Sequence, residues 1–314
     1  MIKTITNFFI LSFIFALTTN PIYAKKTTKP KDNKSYAISY SCFQKANPKI
    51  NDLDRLEYSI SEGYKNYLIY TGRSNKKLIP IHKCLSQIIL AKLNNDKTQD
   101  FSIKSYGMDD GKEYKFAGLY NTKAIDLTVF YKNKAISGIG VKFVTSNYKQ
   151  NSGNYFENML GETINVKAKS LLYGQFLLFK HKIPYWSKKE KTFKKIEQLN
   201  DKNLKKYVLL DAANTKQNYK PDFLFIGFVE TGDEEDFAKI TQAYKNKKPI
   251  TINKNNFHQK LADKVAVKFI KTTDANAYNY NLDTITFLKK ANDFNRFIAN
   301  FVKQTKAKAY NKKF

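Results

Sequence analysis

Between Lys123 and Val144 the chain reads KAIDLTVFYKNKAISGIGVKFV, two β-prone runs about the polar turn Lys132-Asn133-Lys134. Side chains alternate along a strand, so Asp126 and Thr128 share one face of the first run, while Ile125, Leu127, Val129 and Tyr131 share the other. On the second run Ile139, Val141 and Phe143 are the apolar set, and Gly138, Gly140 and Lys142 face the opposite way. Reflection through a turn centred near Asn133 sets Asp126 against Gly140 or Val141. Its carboxylate and the Lys142 ammonium then meet on the less apolar face, where two glycines leave room for another backbone to approach. Two chemistries fit this pair. One is a cross-strand ion pair of modest worth. The other is an anchored cation with a lysine beside it to orient a water or stabilise developing charge.

A second acid comes from the helix expected to open at YFENMLGETINVKAK. With Phe156, Met159, Leu160 and Ile164 as its buried stripe, Glu157 falls at the border of that stripe and points back towards the sheet, whereas Glu162 is expected to face solvent. Two carboxylates and one lysine suit Mg²⁺, which takes one or two carboxylates together with substrate phosphate oxygens. For Glu157 a favourable position near a helix N-terminus is the alternative. His82, His181 and His258 are scattered without ligand-like spacing and read as packing or surface residues. Asp233-Glu234-Glu235-Asp236 reads as acid placed at a helix N-terminus. The chain carries no Gly-rich phosphate loop and no nucleophile elbow.

The elements that must position these residues follow from periodicity. Leu53, Leu56, Ile60, Tyr64 and Tyr67, then Leu85, Ile88, Ile89 and Leu93, recur at helical spacing and predict two N-terminal amphipathic helices. Residues 101–106, 114–119, 125–131 and 135–144 have strand character, 154–169 is helical, and the apolar runs 171–179 and 222–229 read as strands. A lysine-rich helical region spans about 188–210, and Leu288, Ala291, Phe294, Ile298 and Phe301 predict one basic amphipathic helix at the tail. The pattern predicts an α/β fold with a mixed central β-sheet flanked by α-helices. Residues 39–230 form its core, and 231–314 a helical extension of the same domain.

Composition bounds the partners. The chain has 314 residues, with 55 Lys+Arg against 27 Asp+Glu and a formal charge of +28, yet 24 Phe and 21 Tyr supply a core that a disordered polycation lacks. Such charge attracts polyanions, nucleic acid or an anionic membrane surface, although Lys and Asn enrichment is also what an A+T-rich genome encodes. Lys3 precedes an apolar run from Phe8 to Leu17, and a polar stretch ends at Ala24, so residues 1–24 read as a cleaved signal peptide and 25–38 as a flexible basic leader. The expected location is periplasmic or secreted, without stable membrane insertion. An oxidising compartment permits a Cys42–Cys84 disulfide, with two buried thiols as the alternative.

At these residues the sequence resembles the PD-(D/E)XK nuclease superfamily, and more narrowly type II restriction endonuclease-like proteins. The likeness runs through AIDLTVFYKNKAISGIGVKFVTSNYKQNSGNYFENMLGETINVKAK and SLLYGQFLLFKHKIPYW, about a fifth of the chain. In that family an Asp on one strand and an acid-x-Lys on the next hold Mg²⁺ at a scissile phosphodiester. The resemblance assigns Asp126 and Lys142 to those roles, Asp126 and Glu157 to the metal, and Gln175 to positioning the site. Gly140 stands where the second acid is expected, and Glu157 is where an acid moved onto the following helix would fall. The resemblance implies a restriction-endonuclease-like fold and an exported Mg²⁺-dependent endonuclease acting on DNA, compatible with a homodimer. Lys149, Lys202, Lys205 and Lys206 are the candidate phosphate contacts. A DNA-binding relative without activity and a secreted cationic surface-binding protein are the competing classes.

Overall fold

The computed structural model describes residues 50–70, 74–95, 100–108, 111–187, 193–214, 217–246, 254–271 and 279–311. The expected signal peptide, the basic leader and Cys42 lie outside the described residues; Cys84 is buried. Among the described residues no helix is long and apolar enough to cross a membrane.

Two helices come first, α1 (Asp52–Tyr70) and α2 (Ile79–Leu93). Leu56, Ile60, Tyr64 and Tyr67 line the buried stripe of α1, and Leu85, Ile88, Ile89 and Leu93 that of α2, as their spacing predicts; Leu53 is only partly buried. A six-stranded mixed sheet follows, in the order β1 (Phe101–Ser105), β4 (Leu127–Tyr131), β5 (Lys134–Val144), β6 (Leu172–Lys180), β9 (Phe223–Glu230) and β10 (Lys268–Phe269). The chain runs β1, β4 and β5 as antiparallel neighbours, then crosses over through α3 (Tyr148–Lys167) to lay β6 parallel to β5. A second crossover, through β7 (Lys182–Trp186), β8 (Phe193–Gln198) and α4 (Asp201–Ala212), lays β9 parallel to β6. After β9 come α5 (Glu234–Lys245), α6 (Lys254–Ala262), the short antiparallel β10, α7 (Leu282–Ala291) and α8 (Phe294–Tyr310). The α/β architecture with a mixed sheet and flanking helices is therefore as expected.

The middle strands are apolar on both faces because helices cover both. Phe176 and Leu178 of β6 and Phe225 of β9 join the core under α1, α2 and α8, whereas Leu177, Phe179, Ile226 and Phe228 join the core under α4 and α7. Thr305 of α8 donates to Ser137 of β5 at 3.0 Å, both buried, so the last helix is tied to the middle of the sheet.

Three segments depart from the periodic reading. The expected strand 125–131 is broken at Asp126: β3 (Thr122–Ile125) pairs with β2 (Tyr114–Ala117) in a separate hairpin, and β4 starts at Leu127. The lysine-rich region is not one helix. Its described part is β8, then α4, which starts where the Asn200 side chain accepts from the Asn203 N–H and Asn203 returns the bond. The single tail helix is two, because Asn292 leaves the helix to donate to the Ile226 carbonyl and Asp293 caps α8 by accepting from the Arg296 N–H.

A fully buried ion pair fastens the sheet to its surroundings. Lys180, at the end of β6, meets Asp233 just before α5, and donates to the Thr231 hydroxyl at 2.5 Å and to Tyr64 Oη at 3.2 Å. Tyr64 donates to Asp233 Oδ2 at 2.7 Å, and Thr231 Oγ1 to Asp233 Oδ1 at 2.6 Å. Burial and the Asp233 charge push the Tyr64 pKa well up, so the phenol stays a donor. The acidic run at 233–236 thus contributes a core residue as well as helix N-terminal charge. Asp233→Ala strands a buried lysine and is expected to cost about 3–5 kcal/mol in urea unfolding. Adding Lys180→Met is expected to recover most of that loss.

Candidate active site

Asp126 sits where the chain leaves one sheet for another. Its Oδ2 accepts the Val141 N–H at 2.5 Å, beside the Leu127–Ile139 pair, so the carboxylate satisfies a β5 amide that β4 no longer reaches. Asp126 was expected opposite Gly140 or Val141: the register that pairs Leu127 with Ile139 leads on to Gly140, and the carboxylate bonds the Val141 amide next to it. The β2–β3 hairpin brings its neighbour: Tyr114 pairs with Ile125, which sets Glu113 beside Asp126 at the hairpin base. Asn165 of α3 holds the hairpin tip. Its Oδ1 accepts from the Tyr120 and Asn121 N–H groups, its Nδ2 donates to Asn121, and its carbonyl accepts from Leu119.

His82, in the first turn of α2, comes to the same point from below the sheet. It is 0 % exposed, stacks on Tyr106, and has its Nδ1 4.0 Å from Glu113 Oε1. Neither ring nitrogen has a hydrogen-bond partner. One potential ligand atom from each of His82, Glu113 and Asp126 lies within 4.8 Å of the others, a group that could hold a metal ion. Burial pushes the His82 pKa down, with Asp126 opposing and Lys142 assisting, so the ring is neutral at pH 7 and able to ligate. Burial also pushes Glu113 up, to about 7; the Asp126 charge and a hydrogen bond with Asp126 add to this, and Lys123 and Lys142 oppose it.

Lys142 lies on the same side of β5 as expected, but its ion-pair partner is Glu162, at 3.5 Å. Glu162 Oε1 also receives Lys123 Nζ of β3 at 2.6 Å, joining α3, β3 and β5 through one carboxylate. The helix-face assignment is therefore reversed. Glu162 is turned inward, with its side chain 14 % exposed, and Glu157 is exposed on the side of Lys206. The buried stripe of α3 runs through Tyr148, Met159, Thr163 and Val166, whereas Phe156, Leu160 and Ile164 are only partly buried. Glu162 stands about 60° from Met159 and about 40° from Val166 around the helix. The stripe read from sequence was rotated because Phe156 packs sideways on Tyr207 of α4 and not down on the sheet.

Gly140 is filled by side chains and not by backbone. A Cβ at this position would lie 2.6 Å from Tyr173 Oη and 3.1 Å from Gln175 Oε1. Gln175, opposite Gly140 in the parallel register, is fully buried, and neither of its amide atoms nor the Tyr173 hydroxyl has a well-aligned partner. Burial, then the Glu162 and Asp126 charges, push the Tyr173 pKa well up, so this hydroxyl stays protonated.

Of the expected phosphate contacts, Lys149 is exposed at the start of α3, and Lys202 and Lys205 are exposed on α4. Lys206 is engaged: it donates to the Ser152 carbonyl and lies over the rings of Tyr148, Phe156 and Tyr207, clamping α4 to α3. Sequence reasoning missed His82 and Glu113. A polar residue inside the α2 apolar stripe was the one available signal for His82; Glu113 stands in a turn with no periodicity. No protein-family model, curated protein or solved structure matches the chain.

Two outcomes are expected. Glu113 binds a proton more tightly in the folded chain, near 7 against an ordinary 4.5, so metal-free stability falls as pH rises from about 4.5 to 7 and levels off above. Glu113→Gln should remove that slope in chelator-treated protein, followed by urea unfolding across pH. Gly140→Ala should cost about 1–3 kcal/mol, and Tyr173→Phe in the same chain should restore most of it.

Proposed function

We propose that this protein is a divalent-metal-dependent nuclease of the PD-(D/E)XK type, hydrolysing phosphodiester bonds in DNA. The observation that carries the reading is the convergence of two carboxylates and an unpartnered buried imidazole beside Lys142, on the strand next to Asp126. In this reading Asp126, Glu113 and His82 are the metal ligands, and Glu113 stands in for the acid that Gly140 lacks. The restriction-endonuclease-like fold belongs to the same proposal. It is supported by the order of antiparallel β4 and β5, crossover helix α3 and parallel β6, with the Asp just before β4 and the Lys on the adjacent β5. A bound dication would offset phosphate charge and lower the pKa of an attacking water. Lys142 orients that water or stabilises the developing charge on the phosphoryl oxygens. Glu162 fixes the aim of Lys142 and Lys123. Exposed Lys149, Lys202 and Lys205, with the +28 charge, favour a polyanion, and the reading retains export on the strength of the apolar run 8–17.

One observation favours the inactive DNA-binding alternative. The Tyr173 hydroxyl fills the place of the expected acid on β5.

Plasmid digestion with and without divalent cation distinguishes the two. Asp126→Asn and Glu113→Gln are expected to abolish nicking, and Glu162→Gln to slow it about 10–100-fold by freeing the lysines. Glu157→Gln should cut at the wild-type rate. Normal cutting by both Asp126→Asn and Glu113→Gln would overturn the nuclease reading.

A further inference from the structure

We propose that the His82–Glu113–Asp126 site takes a first-row transition-metal dication, of the Mn²⁺, Co²⁺ and Zn²⁺ class, in preference to Mg²⁺ or Ca²⁺. The inference rests on reading this cluster as a metal site and goes beyond it by assigning the metal's class. It also departs from the Mg²⁺ expected when only carboxylates were in view.

The argument starts from the cost of His82. An imidazole fully buried in a mostly apolar helix stripe, with no hydrogen bond at either nitrogen, loses its hydration without compensation. A packing role gives no account of that penalty, because leucine would fill the α2 stripe without it. A ligand role does, since one nitrogen faces the two carboxylates and coordination satisfies it. The ring is also aimed: α2 fixes its backbone, and Tyr106 stacks on it at 6.0 Å with an interplanar angle of 18°.

The donor set then selects the metal. Mg²⁺ and Ca²⁺ are bound through oxygen, whereas imidazole suits the later dications, whose affinity for nitrogen rises from Mn²⁺ towards Cu²⁺. A third carboxylate or an amide in place of His82 would have served Mg²⁺ better. The dimensions are within reach of side-chain movement: three ligand atoms about 2.0–2.2 Å from one cation lie about 3.3–3.6 Å apart at tetrahedral angles, so donors now within 4.8 Å of one another need to close by at most about 1.5 Å. Three protein ligands also leave positions open for water and a phosphate oxygen, as a hydrolytic site requires.

The test reads binding, not activity. Chelator-treated full-length protein is titrated with Mn²⁺, Co²⁺ and Mg²⁺ in separate calorimetric experiments, and pulsed electron paramagnetic resonance of the Mn²⁺ form reads nitrogen coordination. The expected result is at least about tenfold tighter binding of Mn²⁺ and Co²⁺ than of Mg²⁺, with a directly bound imidazole nitrogen. His82→Asp, an all-oxygen site, should lose that preference. If this variant fails to fold, the nitrogen coupling in the wild-type protein still decides. Equal binding of Mg²⁺ and Mn²⁺, or bound Mn²⁺ without nitrogen coupling, would overturn the transition-metal assignment while leaving a metal site in place. Binding of none of the three cations would overturn the metal reading itself.

Discussion

The site depends on one short hydrogen bond, from the Val141 amide to the Asp126 carboxylate. Val141 lies on a strand buried on both faces, where an amide without a partner is costly. The sheet would ordinarily supply a backbone carbonyl. Here a side chain does, and the main chain at Asp126 is thereby released to turn out of the sheet into the β2–β3 hairpin. Glu113 and Lys123 reach the site through that hairpin, so three of the charged groups are placed by a single local substitution of side chain for backbone.

Two buried polar clusters show opposite economies. Around Lys180 every charged atom is matched: Asp233, Thr231 and Tyr64 surround the ammonium, and the neighbouring Glu234 turns back to accept the Thr231 and Gly232 amides. Such a network holds one arrangement. The cluster at His82 is incomplete by the same accounting, with an imidazole lacking partners and two acids close enough to raise one pKa. The first fastens α1, β6, β9 and α5 together. The second stores unfavourable electrostatics where a cation would relieve it, the usual sign that burial serves a ligand.

Periodicity was enough to read α1, α2, β5, β6 and β9, because their burial alternates or repeats with the geometry of the element. It was also enough to set Asp126 against Gly140 or Val141, since the hairpin turn at Lys132 and Asn133, both at positive φ, leaves little choice of register. It failed where a single polar contact overrides the pattern. Asp126 interrupts an apolar run, Asn292 ends a helix that hydrophobic spacing would continue, and Phe156 draws the eye to a face of α3 that meets another helix. Glu113 could not be found from its surroundings in sequence, because its neighbour in space is set by the pairing of Tyr114 with Ile125. His82 was read as packing because an isolated histidine on an apolar stripe usually is.

The bond between Thr305 and Ser137 joins residues 168 positions apart in the chain. Every group of the candidate site lies between His82 and Gln175, yet the face of the sheet that α1 and α2 cover is completed only when α8 docks. Contacts of that separation close slowly, and during synthesis they must wait for the distant segment. The chemistry is thus written early and assembled late. A ribosome-bound or prematurely terminated chain would hold every group of the candidate site before the helix at residues 294–310, which completes their platform, has been made.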